Sequence, residues 1–164
     1  QLGHRNIGIV NGPMSSMHSV RCLNGYKKKM DELGLPFSSE NVFEIDEFDA
    51  LKATTEVATF LKKHSNITGV VCSSDYLAIG VIKAANMLGL SVPKDLSVVG
   101  ADDVPISDFI TPALSTVHVD LLDIGQRATS ILMNMLEGKQ IRKKDLVFKM
   151  EYMNRSTTDS PKHN

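Results

Sequence analysis

The chain of 164 residues is 42% hydrophobic and 23% charged, a globular composition that excludes wholesale disorder and suits one domain with a real core. Its 18 Lys and Arg against 19 Asp and Glu leave a formal net charge of −1, so the chain as a whole has no attraction for a phosphate backbone. No apolar run approaches a membrane span, and two cysteines, Cys22 and Cys72, are too few for a disulfide scaffold and point to a reducing, cytoplasmic compartment.

Residues 1–5 lack the charged-then-apolar layout of an export signal. Ile7-Gly8-Ile9-Val10, ended by Asn11-Gly12-Pro13, reads as a buried strand entering a turn. Ser16 to Leu33 has helical spacing, with Gly34 and Pro36 as the stop. Val42, Phe43 and Ile45 suggest a second strand, and Leu51 to Lys63 an amphipathic helix with Val57, Phe60 and Leu61 on one side. Thr68 to Cys72 is a third strand. Asp75 is expected as the N-cap of a helix from Tyr76 to Leu88, closed by Gly89. Leu96 to Gly100 is a fourth strand, followed by a loop with Pro105 and Pro112 and a further strand over Leu114 to Val119. Leu121 to Leu136 predicts a long helix ended by Gly138, and the alternation of Leu146, Phe148, Met150 and Tyr152 predicts a half-exposed strand. Ser156 to Asn164 is polar and expected to be a disordered tail.

Strands and helices alternate, and the early strands are apolar throughout. The fold class is therefore α/β, a doubly wound parallel sheet with helices on both faces. Such sheets bind ligands beyond the carboxyl ends of their strands, which selects the loops Asn11 to Arg21, Cys72 to Asp75 and Gly100 to Asp103.

Little here suggests catalysis. The turn at Asn11 has one glycine and a proline where a phosphate cradle needs several free N–H groups and a lysine. No Gly-x-Ser-x-Gly elbow exists, and His4, His18, His64, His118 and His163 lack partner spacing and read as surface or turn residues. Lys27-Lys28-Lys29 and Arg142-Lys143-Lys144 read as solvated basic runs. Asp102 and Asp103 are adjacent and point in different directions from extended chain, so a Mg²⁺-dependent phosphotransfer reading would need a third converging acid. A carboxylate at a strand end suits another task, accepting paired hydroxyl hydrogen bonds from a sugar or other polyol. No metal and no cofactor are expected.

Leu2-Gly3-His4-Arg5-Asn6-Ile7, Asp75-x-x-Ala78-x-Gly80, the string Gly89 to Asp103, Thr111 to Val117 and Ile124-Gly125 resemble the lactose-repressor family of bacterial transcription regulators in order and spacing. The resemblance implies the effector-binding core of a non-enzymatic regulator, one lobe of a periplasmic-binding-protein-like two-lobe fold. Residues 1–119 would form most of the C-terminal lobe, 120–155 a crossover helix and returning strand, and 156–164 the tail. Operator DNA would be met only through a helix-turn-helix outside these residues. The related periplasmic sugar-binding proteins of transport systems are the alternative, and family members that answer to nucleobases or a phosphoprotein remain open.

The resemblance also implies site residues for a sugar-like effector. Asp102 matches the carboxylate that accepts ligand hydroxyls. The position commonly Asn in the family is Ser74, and the position often Arg is Cys22, with Arg21 beside it. Phe48 matches an aromatic that packs against the ligand. A homodimer face is implied along the helix from Tyr76 and the loop at Ile106, with Ile79, Ile82, Phe109 and Ile110 as its apolar contacts.

Overall fold

The computed structural model describes residues 2–139 and 146–162, so Arg142-Lys143-Lys144 and His163 lie outside the described residues. Among the described residues six strands form one sheet in the order β2-β1-β3-β4-β5-β6, comprising β1 (Ile7–Asn11), β2 (Val42–Glu44), β3 (Gly69–Cys72), β4 (Ser97–Asp102), β5 (Ser115–His118) and β6 (Glu151–Met153). The first five pair in parallel, with Ile9 opposite both Val42 and Val71, and Val99 opposite Ser115. β6 closes the edge antiparallel to β5.

Helices lie on both faces, as an apolar parallel sheet requires. Helix α1 (Met17–Glu32) places Leu23, Tyr26 and Met30 on Ile9. On the other face α2 (Ala50–Lys63) and α3 (Asp75–Met87) pack on each other and on Val10, Val70, Cys72 and Val98. Leu77, Val57 and Val81 are fully buried there, each contributing roughly 1.5–3 kcal/mol by leaving water. Gly80 is what lets α3 approach so closely, because a Cβ there would stand 2.4 Å from the Ala53 methyl. A one-turn helix α4 (Ile106–Phe109) interrupts the loop after β4.

Helix α5 (Leu121–Leu136) has no buried residue, and Leu121, Leu132, Met135 and Leu136 are exposed. On the α1 face, Val71, Val99 and Val117 also remain partly open beside Tyr26 and Leu33. No helix of the described residues is long and apolar enough to cross a membrane.

Four expectations need correction. The alternation from Leu146 to Tyr152 yields a strand only at Glu151–Met153. Ser74, not Asp75, caps α3, its hydroxyl accepting from Leu77 N at 3.3 Å, while Asp75 begins the helix fully buried. The polar stretch expected to be disordered is packed over its described residues 156–162. Thr157 is buried, donates from Oγ1 to Val98 O and accepts from Ser115 N, and its carbonyl accepts from Val98 N. Those bonds satisfy the N–H and C=O of Val98, one residue before the β4–β5 pairing begins at Val99 and Ser115, and the N–H of Ser115, which outweighs the polarity that suggested fraying. Ile82, expected on a dimer face, is 5% exposed and belongs to the core of its own lobe.

Candidate functional site

The crevice lies beyond the carboxyl ends of β1, β3 and β4. Its floor is a hydrogen bond between neighbouring strand ends, Gly12 N donating to Ser73 Oγ at 3.0 Å. Phe48 covers Gly12 so closely that a Cβ there would stand 2.2 Å from the ring. His18, in the first turn of α1, leans across to β3 with Nε2 2.7 Å from Ser73 O, and its ring meets Phe48 edge-on at 5.8 Å. Cys22, one turn later, places Sγ 3.6 Å from the same nitrogen. Asn11, buried at the end of β1, donates to Ser19 O.

Asp102 ends β4 at φ 106°, and Asp103 follows at φ 55°. Two consecutive residues other than glycine in the left-handed half of the map are uncommon and cost energy, here spent on turning the chain out of the sheet. Half-burial, then the charge of Asp75, raises the Asp102 carboxyl above its ordinary range, and His18 pulls it partly back. No hydrogen bond from the described residues relieves it. Asp102 is thus a half-buried acceptor with spare capacity.

The other two acids are already committed. Asp75 accepts from Thr116 Oγ1 at 2.5 Å, Ser107 Oγ at 2.7 Å and Val104 N at 2.9 Å, tying α3 to β5 and to the loop leaving Asp103. Asp103 accepts from Arg155 Nη2 at 2.6 Å and from His118 Nδ1 at 2.9 Å. Burial alone would raise its carboxyl, but those two partners hold it below the usual carboxylate range. Among the described residues no group of three acidic, histidine or cysteine side chains converges as a metal would need.

The structure therefore brings together Asp102, Cys22 and Phe48 and adds His18, which the sequence reading set aside as a surface residue. Its signal was the i, i+4 spacing from Cys22. Ser74 lies at the β3 end but is 5% exposed and spends its hydroxyl on the cap. Arg21 is exposed, and the charges that act on Asp102 are those of Asp75 and His18, so it does not replace the missing guanidinium. Burial and the Asp102 charge raise the Cys22 thiol, the opposite of an activated nucleophile. On the implied dimer surface Phe109 is 82% exposed, whereas Ile79 and Ile110 are half-buried and Ile110 packs on the core.

The model of the periplasmic binding protein-like domain matches residues 1–158. The chain is 36% identical over 138 residues to the transcriptional repressor PurR of Proteus mirabilis, covering 84% of this chain and 40% of the relative. It is 36% identical over 161 residues to the transcriptional regulator MalR of Streptomyces coelicolor, covering 97% of this chain and 46% of the relative. The chain thus spans less than half the length of these relatives. Among solved structures, a sugar-binding regulator of the lactose-repressor family from Escherichia coli, complexed with phosphate, superposes with a TM-score of 0.89 at 28% identity, over 98% of this chain and 57% of that one. The lac repressor dimer bound to operator and an anti-inducer gives 0.88 at 26%, over 96% and 54%. These relatives are regulators, which favours that reading over a transport protein.

Proposed function

Because the chain belongs to the periplasmic binding protein-like domain family, in the form carried by lactose-repressor-type regulators, we propose that it senses a sugar-like effector and dimerises within a DNA-binding transcriptional regulator of the cytoplasm, without catalysing a reaction. Asp102 carries this reading. At the ends of β3 and β4 it is the acid, among the described residues, whose lone pairs are not taken by protein donors and which is half-buried, while Asp75 and Asp103 are held in place by theirs.

The reading assigns effector contact to Asp102, Cys22 and Phe48, and gives Ser74 a supporting place beneath them. Residues 1–119 serve as the C-terminal lobe. The open apolar stripe of α5, within 120–155, is suited to burial against a first lobe. Effector in the cleft favours one lobe orientation, and a dimer contact including Phe109 passes that bias toward operator DNA. The two free cysteines accord with a reducing cytoplasm.

The test is a mobility-shift assay with the full-length regulator and the promoter of its own gene. Retarded DNA whose mobility responds to a sugar, and an Asp102→Asn variant that binds DNA but no longer responds, is the expected result. A full-length protein indifferent to its promoter and to every sugar tried would overturn the reading.

A further inference from the structure

The turn that carries Asp102 is joined to the rest of the lobe through its neighbour. Asp103 accepts with both carboxylate oxygens, Oδ2 from His118 Nδ1 at 2.9 Å and Oδ1 from Arg155 Nη2 at 2.6 Å. Those two partners stand on the two passages between the sheet and α5. His118 ends β5, where the chain leaves toward α5, and Arg155 follows β6, by which it returns. Helix α5 has no buried residue in this lobe.

The guanidinium of Arg155 reaches further than Asp103. Nη1 donates to Leu114 O at 2.9 Å, and Nε lies 3.3 Å from Asp108 Oδ1 in α4. Its three nitrogens thus meet three separate pieces of chain, on a side chain only 17% exposed. A planar fork of donors can do this, and the single ammonium of a lysine cannot. The backbone offers no equivalent route. Val104 N and Ser107 Oγ, between Asp103 and Asp108, are pinned to the fully buried Asp75. A displacement of the Asp102-Asp103 turn is therefore stopped at Val104 along the chain. The Arg155 side chain bypasses that anchor and ends on Asp108, next to the exposed Phe109.

We propose that Arg155 is a positioning residue for the response to effector, coupling the Asp102-Asp103 turn to the passages toward α5 and to the exposed surface of α4. The inference rests on the effector-sensing reading above and names the side chains that transmit it. Effector donating to Asp102 shifts the turn, Asp103 moves with it, and its two bonds carry the shift to both passages. Coupling of this kind is a free energy between sites, so its loss leaves each site intact and removes the dependence of one on the other.

The test uses the full-length regulator and the promoter of its own gene, with glucose, galactose, maltose and cellobiose as probes. Calorimetry without DNA reads the affinity for sugar. Mobility shift reads the factor by which sugar changes the affinity for the promoter. Arg155→Lys keeps the charge and loses the fork. It should bind sugar within about threefold of the parent, less than the roughly tenfold change that a lost charge-assisted bond brings. The effect of sugar on promoter binding should shrink by about fivefold or more, the lower end of ordinary allosteric coupling. Asp108→Asn, at a carboxylate 70% exposed, breaks only the arm to α4 and should melt like the parent while showing the same split. It therefore decides the matter even if Arg155→Lys does not fold. An undiminished effect of sugar in either folded variant, or a loss of sugar affinity as large as the loss of response, overturns the coupling role and leaves a sugar sensor. A parent indifferent to the promoter, or to every one of these sugars, overturns the effector-sensing reading and this inference with it.

Discussion

A Cβ placed on Gly100 would stand 2.1 Å from Oδ1 of Asp75, so the small residue in β4 is what leaves room for the buried carboxylate at the head of α3. The φ of Gly100 is not positive, and its freedom of conformation is not in use. Space is the requirement. Asp75 fills that space and gathers Thr116, Ser107 and Val104, and so sets the path of the loop that follows Asp102.

Gly100→Ala and Asp75→Ala should therefore both destabilise the fold strongly. Hydrogen bonds to a charged acceptor contribute roughly 1.5–3 kcal/mol each, so losing three at a buried site predicts a loss of at least about 3 kcal/mol for Asp75→Ala. Asp75→Asn should fare little better, because its amide N–H₂ would turn donors toward donors. Urea unfolding monitored by circular dichroism measures this. A loss within about 0.5 kcal/mol, the ordinary range for surface substitutions, would contradict it.

Thr157 supports a second prediction. Thr157→Val keeps the shape but strands Ser115 N and Val98 O, which the hydroxyl now serves at 2.8 and 2.7 Å. An orphaned buried group costs about 1–3 kcal/mol, and Thr157→Ser, which keeps the hydroxyl, should cost less than Thr157→Val. Equal losses for the two variants would show that the methyl, not the hydrogen bonds, is what matters.

Most of the parallel framework was legible in the sequence. The apolar runs at Ile7, Val70 and Val98 are strands of the parallel sheet, buried under α2 and α3 on one face, and a short unbroken apolar run suits such a strand better than any other element. The helix from Leu121 to Leu136 is found at those bounds because its ends carry local signals, Asp120 accepting from Asp123 N at the start and Gly138 at φ 71° after the end. What the sequence hid depends on partners remote in the chain. Thr157 is polar, and only its bonds to the backbone of Val98 and Ser115, remote in the chain, make it a core residue. Asp75 looks like a cap until Thr116, 41 residues away, is seen to bond it. His18 joins the crevice only because the end of β3 lies beside the first turn of α1.

Asp103 predicts a pH dependence. Its carboxyl is held below its ordinary value by Arg155 and His118 despite its partial burial. A group depressed in the fold contributes stability that is present above its unfolded pKa, about 3.9, and is lost as pH falls through the folded value. Asp103→Asn should thus destabilise the protein at neutral pH and remove part of the stability lost on acidification below about pH 4. Thermal melts from neutral to acid pH compare the two proteins. Parallel curves across that window would show that the ion pairs contribute nothing to stability.

Asp102 should behave in the opposite way, and the contrast between the two adjacent acids is the sharper test. Burial and the charge of Asp75 raise its carboxyl in the fold. A raised acid lends stability below its unfolded pKa, about 3.9, and that contribution is lost as pH rises through the folded value. At neutral pH the ionised Asp102 is therefore a burden on the ligand-free protein. Asp102→Asn should melt no lower than the parent at neutral pH, and somewhat higher, because Asn tolerates the left-handed φ as well as Asp does. The same variant should bind effector about 10–100-fold more weakly, the loss expected for a charge-assisted hydrogen bond. Paired melting and calorimetric titration of the full-length regulator measure both. If Asp102→Asn lost stability and kept its affinity, the carboxylate would be a structural support and not the ligand's acceptor.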